Sequence, residues 1–345
     1  MPTKAPYRDG KFVNPLPPRM DMGEAMFRWI KGADNREPEF VIPSIKQSAQ
    51  ALAEKPSSGL RVFWLGHSTL LVNIDGAVFL TDPVWSDRAS PVSFAGPKRF
   101  FAPPALLKDL PKLDGVLISH DHYDHLDTYS IKELSKTGVT FYVPLGVGKH
   151  IKSWGIKPSQ IKEMDWWDEA NVNGIKLIST PARHFSGRGL FDRDETLWAS
   201  WSIVGPKHRI FFSGDSGYFP GYKEIGDELG PFDMTFIESG AYDQAWADVH
   251  LGPEQAIQAH MDLKGKLFMP IHWGTFNLAL HSWTEPAERV ISEGREQGVL
   301  VAVPQPGDYI EMERVPQMQW WPSVPWQSKK EAPVVSSGLK GKSNK

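Results

Sequence analysis

His120-Asp121-His122-Tyr123-Asp124-His125 places four strong metal-ligand side chains within six residues. Neutral imidazoles and a carboxylate suit zinc, with iron and manganese as alternatives. One zinc takes about four ligands. The run divides into two pairs, His120 with His122 and Asp124 with His125, and so points to two metals side by side. Three more ligand-type residues follow apolar runs in the same way: His184 after residues 175–180, Asp215 after 210–213 and His272 after 267–271. A lone histidine is more often a hydrogen-bonded core residue. The recurrence behind apolar runs is what argues for a ligand set. Paired metals serve hydrolysis, because they can supply a hydroxide at neutral pH and stabilise charge on an attacked phosphorus or carbonyl centre.

Strands must position these residues. The apolar run 115–119 reads as a buried strand with the histidine loop at its exit. Residues 61–65, 68–74, 77–80, 139–143, 232–237 and 299–303 read as further strands. Asp75-Gly76 is a turn signal between two of them. Residues 197–204 and 209–213 read as a hairpin pair. A helix is expected over 129–134. Pro253 opens another, with Ala256, Ala259, His260 and Leu263 on one face. Thr284 can cap a third, with Pro286 in its first turn. This order predicts an α+β fold of two sheets packed face to face, helices outside, and ligand loops meeting at one edge. A single hydrolase domain is expected over 59–314. Residues 1–58 form an extension wrapping it, with a short helix near 20–29, and 315–345 form a tail that is disordered from Ser336 onward. The extension offers no strongly amphipathic basic helix of the kind that lies on a membrane.

Composition narrows the classes. The chain has 345 residues, 41% apolar and 23% charged, with a net charge of −3. No basic stripe runs through it, so nucleic-acid binding is not expected. It contains no cysteine, which removes disulfides, thiolate metal sites and a cysteine nucleophile. Residues 1–20 lack the apolar core of a signal peptide, and no stretch reaches the ~20 apolar residues of a spanning helix. The cytoplasm is the default location, with peripheral membrane contact left open. Most of the 14 tryptophans are expected to pack the core.

The chain resembles the metallo-β-lactamase fold superfamily of metal-dependent hydrolases through the run 120–125, His184, Gly214-Asp215 and His272. Within it, the chain is similar to the N-acylphosphatidylethanolamine-hydrolysing phospholipase D group. That match rests on Trp64-Leu65-Gly66-His67-Ser68-Thr69, on Ser119 to Asp127, on Gly240-Ala241-Tyr242, on His250 with Pro253-Glu254, and on Ile271-His272-Trp273-Gly274-Thr275-Phe276. The resemblance implies a four-layer αβ/βα sandwich of two mixed β-sheets flanked by helices, with two Zn2+ per chain at its edge. Mn2+ or Fe2+ are alternatives. It implies His120, His122 and His184 for one zinc, Asp124, His125 and His272 for the other, and Asp215 as the bridge. Asp82 and His67 would support the ligands. The catalytic residues it implies are Asp124, Asp215, His250 and His281, the two histidines lying near a bound phosphate. The activity implied is phosphodiester hydrolysis by a hydroxide held between the metals, releasing N-acylethanolamine and phosphatidate.

A small-molecule or lipid substrate follows from that activity. The acyl chains would need a greasy groove, for which Trp166, Trp167, Phe185, Phe191 and Phe276 are candidates. A homodimer and peripheral membrane contact stay open. A lactonase or other carbonyl-ester hydrolase could use the same site. A non-catalytic metal-binding protein should lack a ligand, and none is missing.

Overall fold

The computed structural model describes residues 3–342. A small hairpin opens the chain, β1 (Tyr7–Arg8) with β2 (Lys11–Phe12), followed by helices α1 (Met22–Lys31) and α2 (Ala49–Ala53). The first large sheet is built from β3 (Leu60–Trp64), β4 (Leu70–Ile74), β5 (Ala77–Thr81), β6 (Gly115–Leu117), β7 (Phe141–Pro144) and β8 (Ile161–Met164). Helices α3 (Thr128–Ser135) and α4 (Gly148–Ser153) interrupt this series. The second sheet contains β9 (Glu169–Val172), β10 (Ile175–Thr180), β11 (Ser200–Val204), β12 (Arg209–Phe212), β13 (Phe232–Glu238), β14 (Gly265–Ile271) and β15 (Leu300–Val301). Between its strands lie α5 (Gly221–Glu228), α6 (Pro253–Asp262) and α7 (Glu285–Gln297). The short β16 (Tyr309–Ile310) returns to the first sheet beside β3.

Each sheet has seven strands and is mixed. The first runs β16-β3-β4-β5-β6-β7-β8, the second β15-β14-β13-β12-β11-β10-β9. In the first, β3 to β5 pair antiparallel and β5 to β8 parallel. In the second, β9 to β12 pair antiparallel and β12 to β15 parallel. The strands read as unbroken apolar runs because both faces are buried. The pleat sends alternate side chains to opposite faces. Leu60, Val62 and Trp64 of β3 join Ile175, Leu177, Trp201 and Ile203 of the other sheet in the central core. Phe63, between them, joins Ile131 and Leu134 of α3 and Ile151 of α4 on the outer face. Helices α6 and α7 cover the second sheet in the same way. The result is the four-layer sandwich with helices outside.

That pairing fixes where the loops go. Strands β3, β5 and β6 run in one sense within the first sheet, and β10, β12, β13 and β14 in one sense within the second. Their C-terminal ends meet at one edge of the sandwich. There the Ala199 N–H donates to the Ser119 carbonyl at 2.9 Å, and the His272 N–H to the His67 carbonyl at 3.1 Å.

Several expectations are revised. Helix α5, absent from the sequence reading, carries two glycines that lower its intrinsic propensity, yet Tyr222 and Ile225 bury its inner face. The tail is not loose where it was expected to be: Ser336 is fully buried and bonded to Asp248. The part of that expectation covering 343–345 lies outside the described residues. The N-terminal helix also differs. On α1, Trp29, Met22, Met26, Ile30 and Phe27 form one continuous apolar arc at about 3.6 residues per turn. Glu24, Arg28 and Lys31 stand opposite, and Ala25 is the one buried residue of this helix. The helix is amphipathic, with its apolar side exposed.

Candidate metal centre

The ligand-type residues predicted at strand exits converge. Ring nitrogens and carboxylate oxygens of His120, His122, His184 and Asp215 lie within 4.8 Å of one another, and those of His67, Asp124, His125 and His272 do the same. A third such group joins Asp215 and His272 to Glu238 and His250. Asp215 stands between the sets: its Oδ2 is 3.8 Å from His120 Nε2, 3.7 Å from His184 Nε2 and 3.2 Å from His125 Nε2, while His272 Nε2 is 3.2 Å from its Oδ1. Gly214 delivers it there. Its φ of +55° lies in the left-handed region, and a Cβ would run into the Ser119 side chain.

The hydrogen bonds fix how the imidazoles face. His184 Nδ1 donates to the Val249 carbonyl at 2.8 Å, which leaves its Nε2 as a bare lone pair toward His122 Nδ1, 3.3 Å away. His125 Nδ1 donates to Asp82 Oδ2 at 2.7 Å, so its Nε2 faces Asp124, Asp215 and His272. His120 Nε2 and His122 Nδ1 are 2.8 Å apart. Ring nitrogens packed this closely, one of them a fixed acceptor, make a natural seat for a cation. Asp215 Oδ1 and His272 Nδ1 are also buried without a hydrogen-bond partner. Clustered lone pairs, carboxylates and an orphaned oxygen fit divalent metal ions, and the nitrogen and oxygen donors suit zinc or a neighbouring transition metal.

Electrostatics divides the cluster. Burial pushes the His120, His122 and His184 pKa values down. Burial works against charge on His125 and His272 too. There Asp215 and Asp124 outweigh it, lifting His125 well above its ordinary value and His272 to about 10. Burial alone would raise Asp124 and Asp215. The charge on His125, with further hydrogen bonds from the imidazoles, holds both well below the usual carboxylate range.

Supporting residues hold this set rigid. Asp82 accepts from the Ser119 N–H at 2.7 Å and the Ser119 hydroxyl at 2.6 Å. Burial pushes His67 down to about 3, so its neutral ring donates Nε2–H to Asp124 at 2.9 Å. His67, Asp82 and His272 all have positive φ, at 53°, 31° and 66°. Such backbone strain in non-glycine residues tends to gather at functional sites. Sequence reasoning missed Asp121 and Arg188. Asp121 accepts from the Gly187 N–H and Thr196 hydroxyl, each at 2.8 Å, and Arg188 donates to the Asp121 carbonyl at 2.7 Å and the Leu126 carbonyl at 2.8 Å. Together they tie the histidine loop to the loop after His184. Glu238, also missed, is the buried partner of His250, 2.9 Å from its Nδ1.

A cavity of about 340 Å³ opens onto His122, Asp124, Asp215, His250 and His272. Its wall is apolar: Met20, Met22, Met26, Trp29, Phe185, Trp246 and Leu278. A larger cleft of about 830 Å³ lies beyond the metal loop, against Trp85, Tyr123, Tyr129 and Arg188, and no ligand cluster faces it among the described residues.

Two groups of expectations are corrected by this geometry. His281 is not in the site. Its ring nitrogens face the Ser282 and Gly240 carbonyls, each at 2.9 Å, and the ring stacks on Tyr242 at 4.2 Å. Of the five aromatic candidates for the groove, Phe185 alone lines the cavity. Trp166 is core, donating to the Trp198 carbonyl at 2.8 Å, Trp167 packs beside it, and Phe191 is exposed. Phe276 presents an edge to His67, with ring centres 5.1 Å apart.

Residues 78–273 match the family model described as the beta-lactamase superfamily domain. The chain belongs to that superfamily. It is a metal-dependent hydrolase of this fold, with histidine and aspartate groups that could bind a metal. An uncharacterized protein of Mycobacterium tuberculosis is 45% identical over 91% of this chain and 87% of its own length. The N-acyl-phosphatidylethanolamine-hydrolyzing phospholipase D 1 of Caenorhabditis elegans is 40% identical over 68% of this chain and 69% of its own length. Among solved structures, Igni18, a metallo hydrolase from Ignicoccus hospitalis, superposes with a TM-score of 0.55 at 22% identity, covering 73% of this chain and 97% of Igni18. Among the described residues, no helix is long and apolar enough to cross a membrane.

Proposed function

We propose that this superfamily member is a binuclear zinc phosphodiesterase that cleaves N-acylphosphatidylethanolamine-type lipids into N-acylethanolamine and phosphatidate. The observation that carries this reading is the meeting of two ligand sets at Asp215, which belongs to one and lies 3.2 Å from His125 and His272 of the other, on an apolar cavity of about 340 Å³. The Caenorhabditis elegans relative, named for that hydrolysis, supports the same choice.

Two metals, when bound, would act as Lewis acids and bring the pKa of water to about 7. His120, His122 and His184 would hold one, Asp124, His125 and His272 the other, with Asp215 between them. The rest is work for the chain. His125 and His272 hold Asp124 ionised, and His67 adds a hydrogen bond that fixes the carboxylate at the cavity, where it can orient the nucleophile. His250, whose Nδ1 is held by Glu238 and whose pKa that carboxylate raises against burial, lines the cavity and can donate to a phosphoryl oxygen. Met20, Met22 and Met26 offer unbranched, deformable side chains to an acyl group.

Mass spectrometry tests the reading. Zinc-loaded protein is incubated with an N-acylphosphatidylethanolamine and, separately, with a long-chain acyl lactone, beside Asp215→Asn. Phosphatidate plus N-acylethanolamine, absent in the variant, is the expected result. Opened lactone without phosphatidate moves the function to carbonyl hydrolysis.

A further inference from the structure

Both ends of the chain converge on one buried ion pair beside the metal centre. Arg183 Nη2 is 2.9 Å from Asp248 Oδ2, and the Arg183 side chain is fully buried. Arg183 donates Nε to the Leu16 carbonyl and Nη2 to the Pro17 carbonyl, each at 3.0 Å. It reaches the Ser336 hydroxyl at 3.0 Å, the Ser337 hydroxyl at 2.9 Å and the Tyr218 carbonyl at 3.1 Å. Asp248 accepts from the Arg19 N–H at 2.8 Å, the Ser336 hydroxyl at 2.8 Å, and the Ser337 N–H and hydroxyl, each at 2.7 Å. Gly338 backs so closely onto the Tyr218 carbonyl that a Cβ would collide with it. The tail is thus built into this spot, and all five N–H groups of the guanidinium have acceptors within reach.

The pair is placed where it can act on the site. Arg183 immediately precedes His184, and Asp248 precedes Val249 and His250. Val249 is the residue whose carbonyl receives His184 Nδ1. The Asn14 amide donates to the His184 carbonyl at 2.6 Å. One ladder therefore joins residues 14–19, 183–184, 248–250 and 336–338, and only the middle two segments fall within the matched region 78–273. The other ligand set is oriented by different residues, with Asp82 on His125 and His67 on Asp124. None of these touches the clasp.

We propose that the Arg183–Asp248 pair, clasped by residues 14–19 and 336–338, is a positioning device for the His120–His122–His184 half of the centre, so that these two clasping segments set the metal affinity of that half more than of the other. This rests on the two-metal reading above. Removing the Ser336 and Ser337 hydroxyls leaves a buried charge pair short of partners. Arg183 then shifts, and the His184–Val249 bond that fixes the imidazole slackens. Outer hydrogen bonds of this kind typically change metal affinity by about 10- to 100-fold.

The test uses the full chain, as wild type, as Ser336→Ala/Ser337→Ala and as Ser337→Ala alone. Each is stripped with a chelator and titrated with Zn2+ by calorimetry, with histidine ¹⁵N spectra recording which imidazoles are bound. The expected result is two equivalents in the wild type and, in the double variant, one equivalent weakened about tenfold or more with His184 the last imidazole to bind. The single variant should fall between, and the metal-free double variant should melt somewhat lower but still in one cooperative transition. Unchanged affinity for both equivalents overturns the proposal, as does equal weakening of both with a lowered melting temperature. A wild type that takes up fewer than two equivalents overturns the binuclear reading itself, and the clasp with it.

Discussion

His125 Nδ1 lies 2.7 Å from Asp82 Oδ2, with both side chains wholly buried. The contact selects the tautomer that turns His125 Nε2 toward Asp215. Burial raises the Asp82 pKa, and the imidazole with the Ser119 hydroxyl and N–H offsets that. An amide at position 82 can accept one of these bonds but cannot stabilise a donor imidazole as a carboxylate does. Asp82→Asn should therefore weaken zinc binding by about 10- to 100-fold while the fold persists. Zinc titration against a chromophoric chelator, with circular dichroism as the control for folding, measures this.

His250 and His281 were alike as sequence and differ in structure. His250 lines the cavity with Glu238 behind it, whereas His281 is committed to two carbonyls and an aromatic face. A positioned donor to the reacting group is worth roughly 10²-fold in rate or more. His250→Gln should lower kcat/KM by about that factor while its amide keeps a hydrogen bond to Glu238 and the fold persists. His281→Gln should lower the melting temperature and leave kcat/KM within about threefold, since buried hydrogen bonds carry roughly 1 kcal/mol of stability each. Kinetics and thermal melts on the same preparations separate the two.

The contrast shows what the sequence could carry. His120, His122, Asp124 and His125 are legible because they are neighbours in the chain, and His184, Asp215 and His272 because each follows an apolar run. His281 follows no strand, and nothing local marks which histidine faces the metals. Arg183 was invisible for a different reason. Its partners lie 167 residues before it at Leu16 and 153 after it at Ser336, a distance no periodicity spans. A serine-rich tail reads as disorder until a buried guanidinium that needs it is found. On α1 the signal was present in the spacing of Met22, Met26, Trp29 and Ile30. Of that arc, Met22, Met26 and Trp29 line a cavity, a role that the pattern of a basic membrane helix does not describe.

That helix sets a test of substrate choice. Met26 belongs to the cavity wall, and Met22 and Trp29 flank it on the same arc. Burying one such side chain contributes about 1.5–3 kcal/mol. Met26→Glu should lower kcat/KM on a long-chain N-acyl lipid about 10- to 100-fold, and leave hydrolysis of a short soluble phosphodiester close to wild type. Assays on both substrates decide it. Equal losses on the two would mean that α1 shapes the metal centre instead of the acyl groove.

His260 offers a pH signature remote from the metals. It sits on α6 with Nδ1 2.7 Å from the Thr235 hydroxyl, and burial pushes its pKa from 6.5 down to about 4. Between those values the unfolded chain holds more protons than the folded one. Its contribution is therefore complete above pH 6.5 and is lost as pH falls toward 4. The total is roughly 3 kcal/mol, of which about 2 kcal/mol disappears between pH 7 and 5. His260→Gln cannot take up this proton. The variant should be less stable than wild type at pH 7 through imperfect packing beside Gly265, yet lose about 2 kcal/mol less on going to pH 5. Urea midpoints at the two pH values give the comparison. Parallel losses in wild type and variant would place the acid sensitivity in the other buried histidines, His67 foremost.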